Sequence, residues 1–315
     1  MSKDYFEVIR AGINTTFQDL GRKNLYHIGI PFSGVMDNRN FLIANKLVGN
    51  KFNSPVIEFA YQGPQLKYFG NKINISITGD VNFVLKKKKE VIDGICYKSF
   101  SLENGDELDI RSTNKSVYGY LAISGELDIK YQWSSCSTNT KANIGANDGK
   151  KLELNQKINI SSINENLNHK SLKYINTKIQ NIRILKGTNF DYFSEKGKDT
   201  FLNKEFTVSK LSDRMGMRLE GSHIENIVDT NIKSEGLIKG VIQVPADGNP
   251  IIMLSDHGTI GGYPKIGVVI SADYDRLVQL APGSKVKFKE VNLSSAETLY
   301  KLYDLETQNL ISQVQ

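Results

Sequence analysis

Few of the residues and runs that mark common functional classes are present in this sequence. Cysteine occurs twice in 315 residues, as Cys96 and Cys136, far apart and without Cys-x-x-Cys spacing. That argues against a zinc site or a disulfide framework and fits a reducing compartment. No stretch approaches the roughly 18 apolar residues of a membrane span, and the opening Met-Ser-Lys-Asp-Tyr-Phe lacks the apolar core of a signal peptide. A cytoplasmic, soluble protein is expected. Charge is nearly balanced, with 40 basic against 34 acidic residues, and the basic residues are dispersed except for the lysine run at 86–89. Flanked by apolar residues 81–85 and Val91-Ile92, that run reads as a solvated hairpin tip rather than a phosphate patch. Neither nucleic acid nor membrane is an expected partner. Walker A, the Rossmann fingerprint, the nucleophile elbow and His-Glu-x-x-His are all missing.

What is present reads as mainly β with a few helices. Residues 6–9 form a short strand, and the glycine-punctuated segment that follows, up to residue 36, is expected to be irregular and surface-lying. Asp37 has the place of an N-cap for a helix carrying Phe41, Leu42, Ala44, Leu47 and Val48, with Gly49-Asn50 suited to its stop. Short apolar runs at 73–78, 81–85, 99–102, 107–110 and 119–124 read as strands. One pattern recurs: Leu102, Gly105, Leu108, Ile110; Leu152, Asn155, Ile158, Ile160; and Leu280, Gly283, Val286, Phe288. In each, leucine packs inward, the Gly or Asn three later takes the left-handed conformation, and a strand restarts with a period of two. Repeated hairpins of this kind imply a barrel or sandwich.

The polar stretch 166–179 reads as a linker between a β domain at 1–165 and a second domain at 180–315. The second has a short helical piece near Tyr192-Phe193 and ends in a helix, where Ser294 and Glu297 have capping-box spacing. Leu299, Leu302, Tyr303, Leu310 and Ile311 are expected on one face of that helix.

Chemistry concentrates in residues 234–273. Two short apolar runs flank Asp247-Gly248, and a polar loop carrying Asp256, His257, Thr259, Gly261, Gly262, Tyr263 and Lys265 leads to a third run. Loops held by a rigid sheet are common places for sites. Of the four histidines, His257 alone lies beside an acid, Asp256, which suits either a catalytic base or a surface histidine. Gly261-Gly262 can present successive N–H groups to an oxyanion or phosphate by alternating handedness, with Lys265 adding a cation; a plain tight turn reads equally well. Asp213-Arg214 is either a carboxylate clamp or an internal ion pair. Gln243, amid apolar neighbours, needs partners from backbone or ligand, and Glu235 is a similar candidate. No metal ligand set stands out.

Several blocks together carry a family resemblance: Thr15-Thr16-Phe17-Gln18-Asp19-Leu20-Gly21-Arg22, Gly29-Ile30-Pro31-Phe32-Ser33-Gly34-Val35-Met36-Asp37, Ser212-Asp213-Arg214-Met215-Gly216, Ser234-Glu235-Gly236, Ile242-Gln243-Val244-Pro245, Asp247-Gly248-Asn249-Pro250 and Gly261-Gly262-Tyr263-Pro264. The chain resembles the KipA-like proteins, also called allophanate hydrolase subunit 2 or carboxyltransferase subdomain proteins, which include the C subunit of 5-oxoprolinase. It departs from them at Gly119, which precedes Tyr-Leu-Ala where the family has arginine, and at Ser135-Cys136-Ser137, where the family reads Ser-Arg-Ser. His257 also stands where arginine is common.

The resemblance implies two related cyclophilin-like β-barrel domains and a KipI-like partner, allophanate hydrolase subunit 1. In an ATP-dependent 5-oxoprolinase, the first of the activities it implies, a third lactam-hydrolase subunit joins them, and 5-oxoproline is opened to glutamate with ATP and Mg2+. Under that reading Gln243 or Asp256, with His257 and Thr259, serve catalysis. Asp213, Arg214, Glu235, Gly261, Gly262, Tyr263 and Lys265 bind substrate or phosphate. Two alternatives follow from the same resemblance: a carboxyltransferase subunit of a biotin-dependent urea-type carboxylase, and a non-enzymatic KipA-type antagonist of a kinase inhibitor. The chain carries no biotinyl Met-Lys-Met segment.

Overall fold

The computed structural model describes residues 4–164, 168–174, 179 and 181–315. The chain divides into two compact units. The first takes residues 1–22, 33–176 and 307–315, and the second takes residues 23–32 and 177–306. Much of the expected linker at 166–179 lies outside the described residues. Within its described part, Leu172 is buried in the first unit and Ser171 bridges to Lys98.

The first unit is built on two sheets. Its strands are β1 (Asp4–Arg10), β2 (Asn14–Gln18), β3 (Val56–Ala60), β4 (Gln65–Phe69), β5 (Ile73–Thr78), β6 (Val81–Lys86), β7 (Val91–Asp93), β8 (Ser99–Leu102), β9 (Glu107–Thr113), β10 (Tyr118–Ile123), β11 (Glu126–Leu127) and β12 (Lys157–Ser162). One sheet runs β11-β12-β1-β4-β9-β6-β7 and the other β2-β3-β10-β5-β8. Their inner faces share one core, with Phe6, Leu66 and Phe83 from the first and Phe17, Phe59, Ile75 and Leu121 from the second. Helix α1 (Asn38–Leu47) is capped as its sequence implies, the Asp37 carboxylate accepting from Asn40 N. It is held to the five-stranded sheet by Ser76 Oγ and Thr78 Oγ1, which donate to Ala44 O and Asn40 O at 2.7 and 2.8 Å. The lysine run is a hairpin tip between β6 and β7, with Lys86 opposite Val91.

Strand β2 corrects an expectation. Its residues Thr15, Thr16 and Gln18 are polar, yet they are buried in an edge strand paired with β3. The next residue, Asp19, is answered internally: its carboxylate accepts from Gly21 N (2.9 Å), Ser135 Oγ and Ser137 Oγ (both 2.6 Å) and Cys136 N (2.8 Å). Such satisfied polar groups can be buried without large cost. Burial, reinforced by Asp19, pushes the Cys136 thiol up.

In the second unit seven strands close into a barrel, in the order β13 (Asn181–Lys186), β20 (Lys265–Val269), β17 (Val241–Gln243), β18 (Ile251–Met253), β15 (Gly216–Glu220), β14 (Phe206–Val208) and β21 (Lys285–Glu290). The ring closes through β13 and β21, which run parallel. Alternating residues such as Ile182, Ile184, Val286 and Phe288 fill it. Helix α2 (Glu195–Asn203) follows a 3-10 turn at Phe190–Tyr192 and stacks Phe201 on Phe288 with ring centroids 4.5 Å apart. Helix α3 (Ser271–Leu277) is tied to β13 by the buried Asp273, which accepts from Arg183 N and Nε at 2.8 and 2.9 Å.

The last helix, α4 (Leu293–Ser312), differs from expectation in two details. Asn292 Oδ1, ahead of the Ser294 expected as cap, accepts from Ser295 N at 2.8 Å. Leu302 is exposed, because Ala296, Leu299 and Tyr303 make the buried face that meets Ile270 and Ala272.

The recurring pattern is one turn used three times. Gly105, Asn155 and Gly283 have φ of 93°, 63° and 86°, and each donates its N–H at 2.8 Å to a carbonyl of a neighbouring strand, Tyr68, Val8 and Val208. A Cβ at Gly105 or Gly283 meets nothing within 4 Å, so only backbone conformation resists substitution. Gly105→Ala and Gly283→Ala should each lower unfolding free energy by about 1 kcal/mol. Urea denaturation checks this, and a raised midpoint for either variant contradicts the turn assignment.

Candidate functional site

Residues 255–265 are not a free loop. Ile260–Gly261 forms strand β19, which pairs with β16 (Glu235–Gly236), placing Glu235 opposite Gly261. Leu237 N–H donates to Thr259 O and Ile232 N–H to Gly262 O, both at 2.9 Å. Thr259 thus serves this ribbon through its carbonyl.

Gln243, at the end of β17, is 4% exposed, and its Nε2 donates to Tyr263 O at 3.1 Å. Gly261 lies against this carboxamide: a Cβ there would fall 2.7 Å from Gln243 Nε2 and 2.8 Å from Leu237 Cδ1. Neither Gly261 nor Gly262 has φ in the left-handed region. The diglycine therefore does not adopt alternating handedness. A side chain at 261 would displace the Gln243 carboxamide and the Leu237 methyl.

Lys265 begins β20 with its side chain 5% exposed, and Nζ donates to Glu235 Oε2 at 2.8 Å. Glu235 is 44% exposed. Asn189 fastens this pair. Its N–H donates to Lys265 O at 3.2 Å, its Oδ1 accepts from Lys265 N at 3.1 Å, and its side chain also bonds Glu235. The Lys265 hydrogen bond, with the Lys265 charge and the Asn189 bond, holds the Glu235 carboxyl below its usual range.

A second group surrounds Asp256. Arg214 Nε and Nη2 donate to its two oxygens at 2.8 and 3.0 Å, a bidentate pair with side chains 16% and 4% exposed. Arg214 is therefore in an internal ion pair, with Asp256 and not with its neighbour Asp213. Asp213 is exposed and its Oδ1 accepts from Met215 N and Gly216 N at 2.8 and 3.3 Å.

His257 is 1% exposed. Its Nδ1 lies 2.6 Å from Gly258 O and its Nε2 3.1 Å from Tyr26 Oη. The Tyr26 ring meets the imidazole edge-on, with centroids 5.9 Å apart. Burial holds the His257 pKa below the ordinary 6.5; the Gly258 bond opposes this, Lys239 adds to it and Asp256 opposes it. Burial also pushes the Tyr26 phenol up.

Gln243, Gly261, Tyr263, Glu235 and Lys265 thus fall into one polar group, whereas Asp256, Arg214 and His257 make contacts of their own. Two residues escaped the sequence reading. Asn189 follows a strand in the turn Gly187-Thr188-Asn189, and a turn asparagine there is a usable signal. Tyr26 gives none, since it lies 231 residues from His257. Among the described residues no three His, Cys, Asp or Glu side chains converge as a metal site. The two cations expected to meet phosphate, Arg214 and Lys265, are each held by a carboxylate, so these residues are not a ready seat for a nucleotide.

Residues 28–290 match the carboxyltransferase domain, subdomain A and B. The chain belongs to this carboxyltransferase family. It is 31% identical over 296 residues to the 5-oxoprolinase C subunit of Escherichia coli K12, covering 92% of each chain. A similar match, 31% over 294 residues and 93% of each chain, links it to the 5-oxoprolinase C subunit of Haemophilus influenzae. Among solved structures, the K. lactis urea amidolyase superposes with a TM-score of 0.87 at 26% identity, covering 98% of this chain. The chain spans only 20% of the length of that protein.

Two outcomes test this geometry. Asp256→Ala removes the bidentate partner of a largely buried guanidinium, and Glu235→Gln removes the anion that answers the buried Lys265 ammonium; each should cost at least about 2 kcal/mol, which chemical denaturation checks. Because the His257 pKa is depressed on folding, its contribution is fully present above pH 6.5 and is lost as pH falls through the folded value. His257→Gln should flatten that part of the melting-temperature profile, and an unchanged acid slope contradicts the burial argument.

Proposed function

We propose that this carboxyltransferase-family chain is a subunit of an ATP-dependent 5-oxoprolinase. With a KipI-like subunit and a third lactam-hydrolase subunit it opens the lactam of 5-oxo-L-proline to L-glutamate. The observation that carries this reading is the end-to-end match to the C subunit of 5-oxoprolinase, 92% of both chains.

The polar group supports it chemically. Resonance makes a lactam carbon a poor electrophile, so a competent site must donate to the oxygen and accept from the N–H. Gln243 offers a carboxamide whose Nε2 is committed to Tyr263 O, leaving Oε1 as its acceptor. Gly261 and the Lys265–Glu235 pair border this carboxamide. The nucleotide and its Mg2+ belong to the assembly in this reading, because Arg214 and Lys265 are engaged by Asp256 and Glu235.

A second reading is a carboxyltransferase subunit of a biotin-dependent urea-type carboxylase. It is favoured by the superposition of 98% of this chain on a urea amidolyase. Both reactions act on a planar N–C=O unit.

Reconstitution separates them. The purified chain, the KipI-like partner and the third subunit should convert 5-oxoproline to glutamate with matched ADP release. Gln243→Ala should lower kcat/KM about 10- to 100-fold while shifting Tm little. Carboxylation of urea without glutamate formation would transfer the assignment to the second reading.

A further inference from the structure

The sequence has one tryptophan, and the fold displays it in a backbone conformation that costs free energy. Gln132 and Ser135 face each other across a two-residue turn, with Gln132 N–H donating to Ser135 O at 2.8 Å and Ser135 N–H to Gln132 O at 3.3 Å. The central residues, Trp133 and Ser134, have φ of 52° and 60°, the sense of a type I′ turn. Asn-Gly is the pair such a turn favours, and a bulky side chain at positive φ is strained. At Tyr97, with φ of 61°, the interior compensates: the ring is buried, and its hydroxyl donates to Asn40 Oδ1 at 2.8 Å and accepts from Gly79 N at 3.2 Å. Trp133 has no such compensation. It is 45% exposed, and among the described residues its indole N–H meets no acceptor.

The base of the turn is nevertheless firmly held. Gln132 Oε1 accepts from Gly145 N at 3.0 Å, while Ser135 Oγ and Cys136 N–H donate to the buried Asp19 carboxylate at 2.6 and 2.8 Å. All of these residues belong to the first unit. Tyr131, two positions before the tryptophan, is 51% exposed. The turn is thus a fixed support that carries two exposed aromatic side chains. Being a tip, it encloses nothing, whereas small-molecule sites are concave. A tryptophan and a tyrosine on a fixed support are instead the side chains that dominate protein–protein contacts. The flanking charges, Lys130 and Asp148, have opposite signs and lie 3.7 Å apart, so the tip presents no field of one sign to a partner.

We infer that the Trp133 turn is a docking knob that inserts into an apolar socket on another protein chain, the KipI-like subunit, with an acceptor in the socket for the indole N–H. The identity of that chain rests on the function proposed above; the strained display of the tryptophan does not. Burial of the ring in the socket is what offsets the strain of the turn.

Fluorine-19 NMR reads the knob directly, because 5-fluorotryptophan labels a single position in this chain. On addition of the unlabelled, purified KipI-like subunit, the one resonance should move and lose its H2O/D2O solvent-isotope shift. Giving the turn the pair it favours, Trp133→Asn with Ser134→Gly, should leave Tm unchanged or raised yet weaken association by at least about 30-fold. A turn that served only the fold would not separate stability from affinity in this way. Should the double variant be less stable, the resonance of the unaltered chain decides alone. A resonance that keeps its isotope shift in the complex, an unaltered affinity of the double variant, or no association of the two chains would overturn the proposal. So would a resonance that moves as this chain alone is concentrated, which would place the socket on a second copy. If the two chains bind as described but the assembly with the third subunit makes no glutamate, the 5-oxoprolinase reading has failed and the docking has not.

Discussion

An ammonium group sealed from water has to find an anion, and this requirement at Lys265 organises the candidate site. With a side chain 5% exposed, Lys265 is answered by Glu235 at 2.8 Å. Glu235 sits on the short β16–β19 ribbon directly opposite Gly261, so the ion pair fastens that ribbon to the barrel strand carrying Lys265. Asn189 braces both sides of the fastening. The Gln243 carboxamide can then lie against Gly261, where a side chain would push it aside.

The second consequence concerns reactivity. Arg214, Asp256, Glu235 and Lys265 are charged groups already paired with one another. Their pairing gives a rigid, preorganised frame, but it takes them out of the running as free acids or bases. The polar groups left uncharged nearby are the Gln243 carboxamide and, in a separate set of contacts, the Tyr26 hydroxyl against an imidazole whose pKa burial lowers. Neutral donors and acceptors suit an amide, which is itself neutral and is recognised by the two edges of its N–C=O plane.

Much of the scaffold was legible in the sequence because local rules governed it. The Asp37 cap, the hairpin around the lysine run and the three-fold use of one left-handed turn each depend on a few adjacent residues. Where tertiary pairing decided the outcome, local reading failed. Thr15, Thr16 and Gln18 look like surface residues and are buried in β2, because the strand that pairs with them, β3, comes from about forty residues further along the chain. Gly261-Gly262 reads as an anion-binding turn, yet pairing with Glu235 keeps Gly261 in a ribbon. Arg214 found its acid 42 residues away instead of next door, and Tyr26 reached His257 across 231 residues. Gln243, Glu235 and Lys265 could be singled out from sequence only together with Arg214, Asp256 and His257; which of these are tied to which could not be read there.

Amide hydrogen exchange of Lys265→Met against the unaltered chain probes the central constraint most directly. Without its ammonium, Leu237 and neighbouring ribbon amides should lose protection by at least about tenfold, equivalent to about 1.4 kcal/mol, while barrel amides of Ile242 and Ile252 keep theirs. Equal protection in both proteins would show that the ribbon stands without the Lys265–Glu235 pair and would contradict this account.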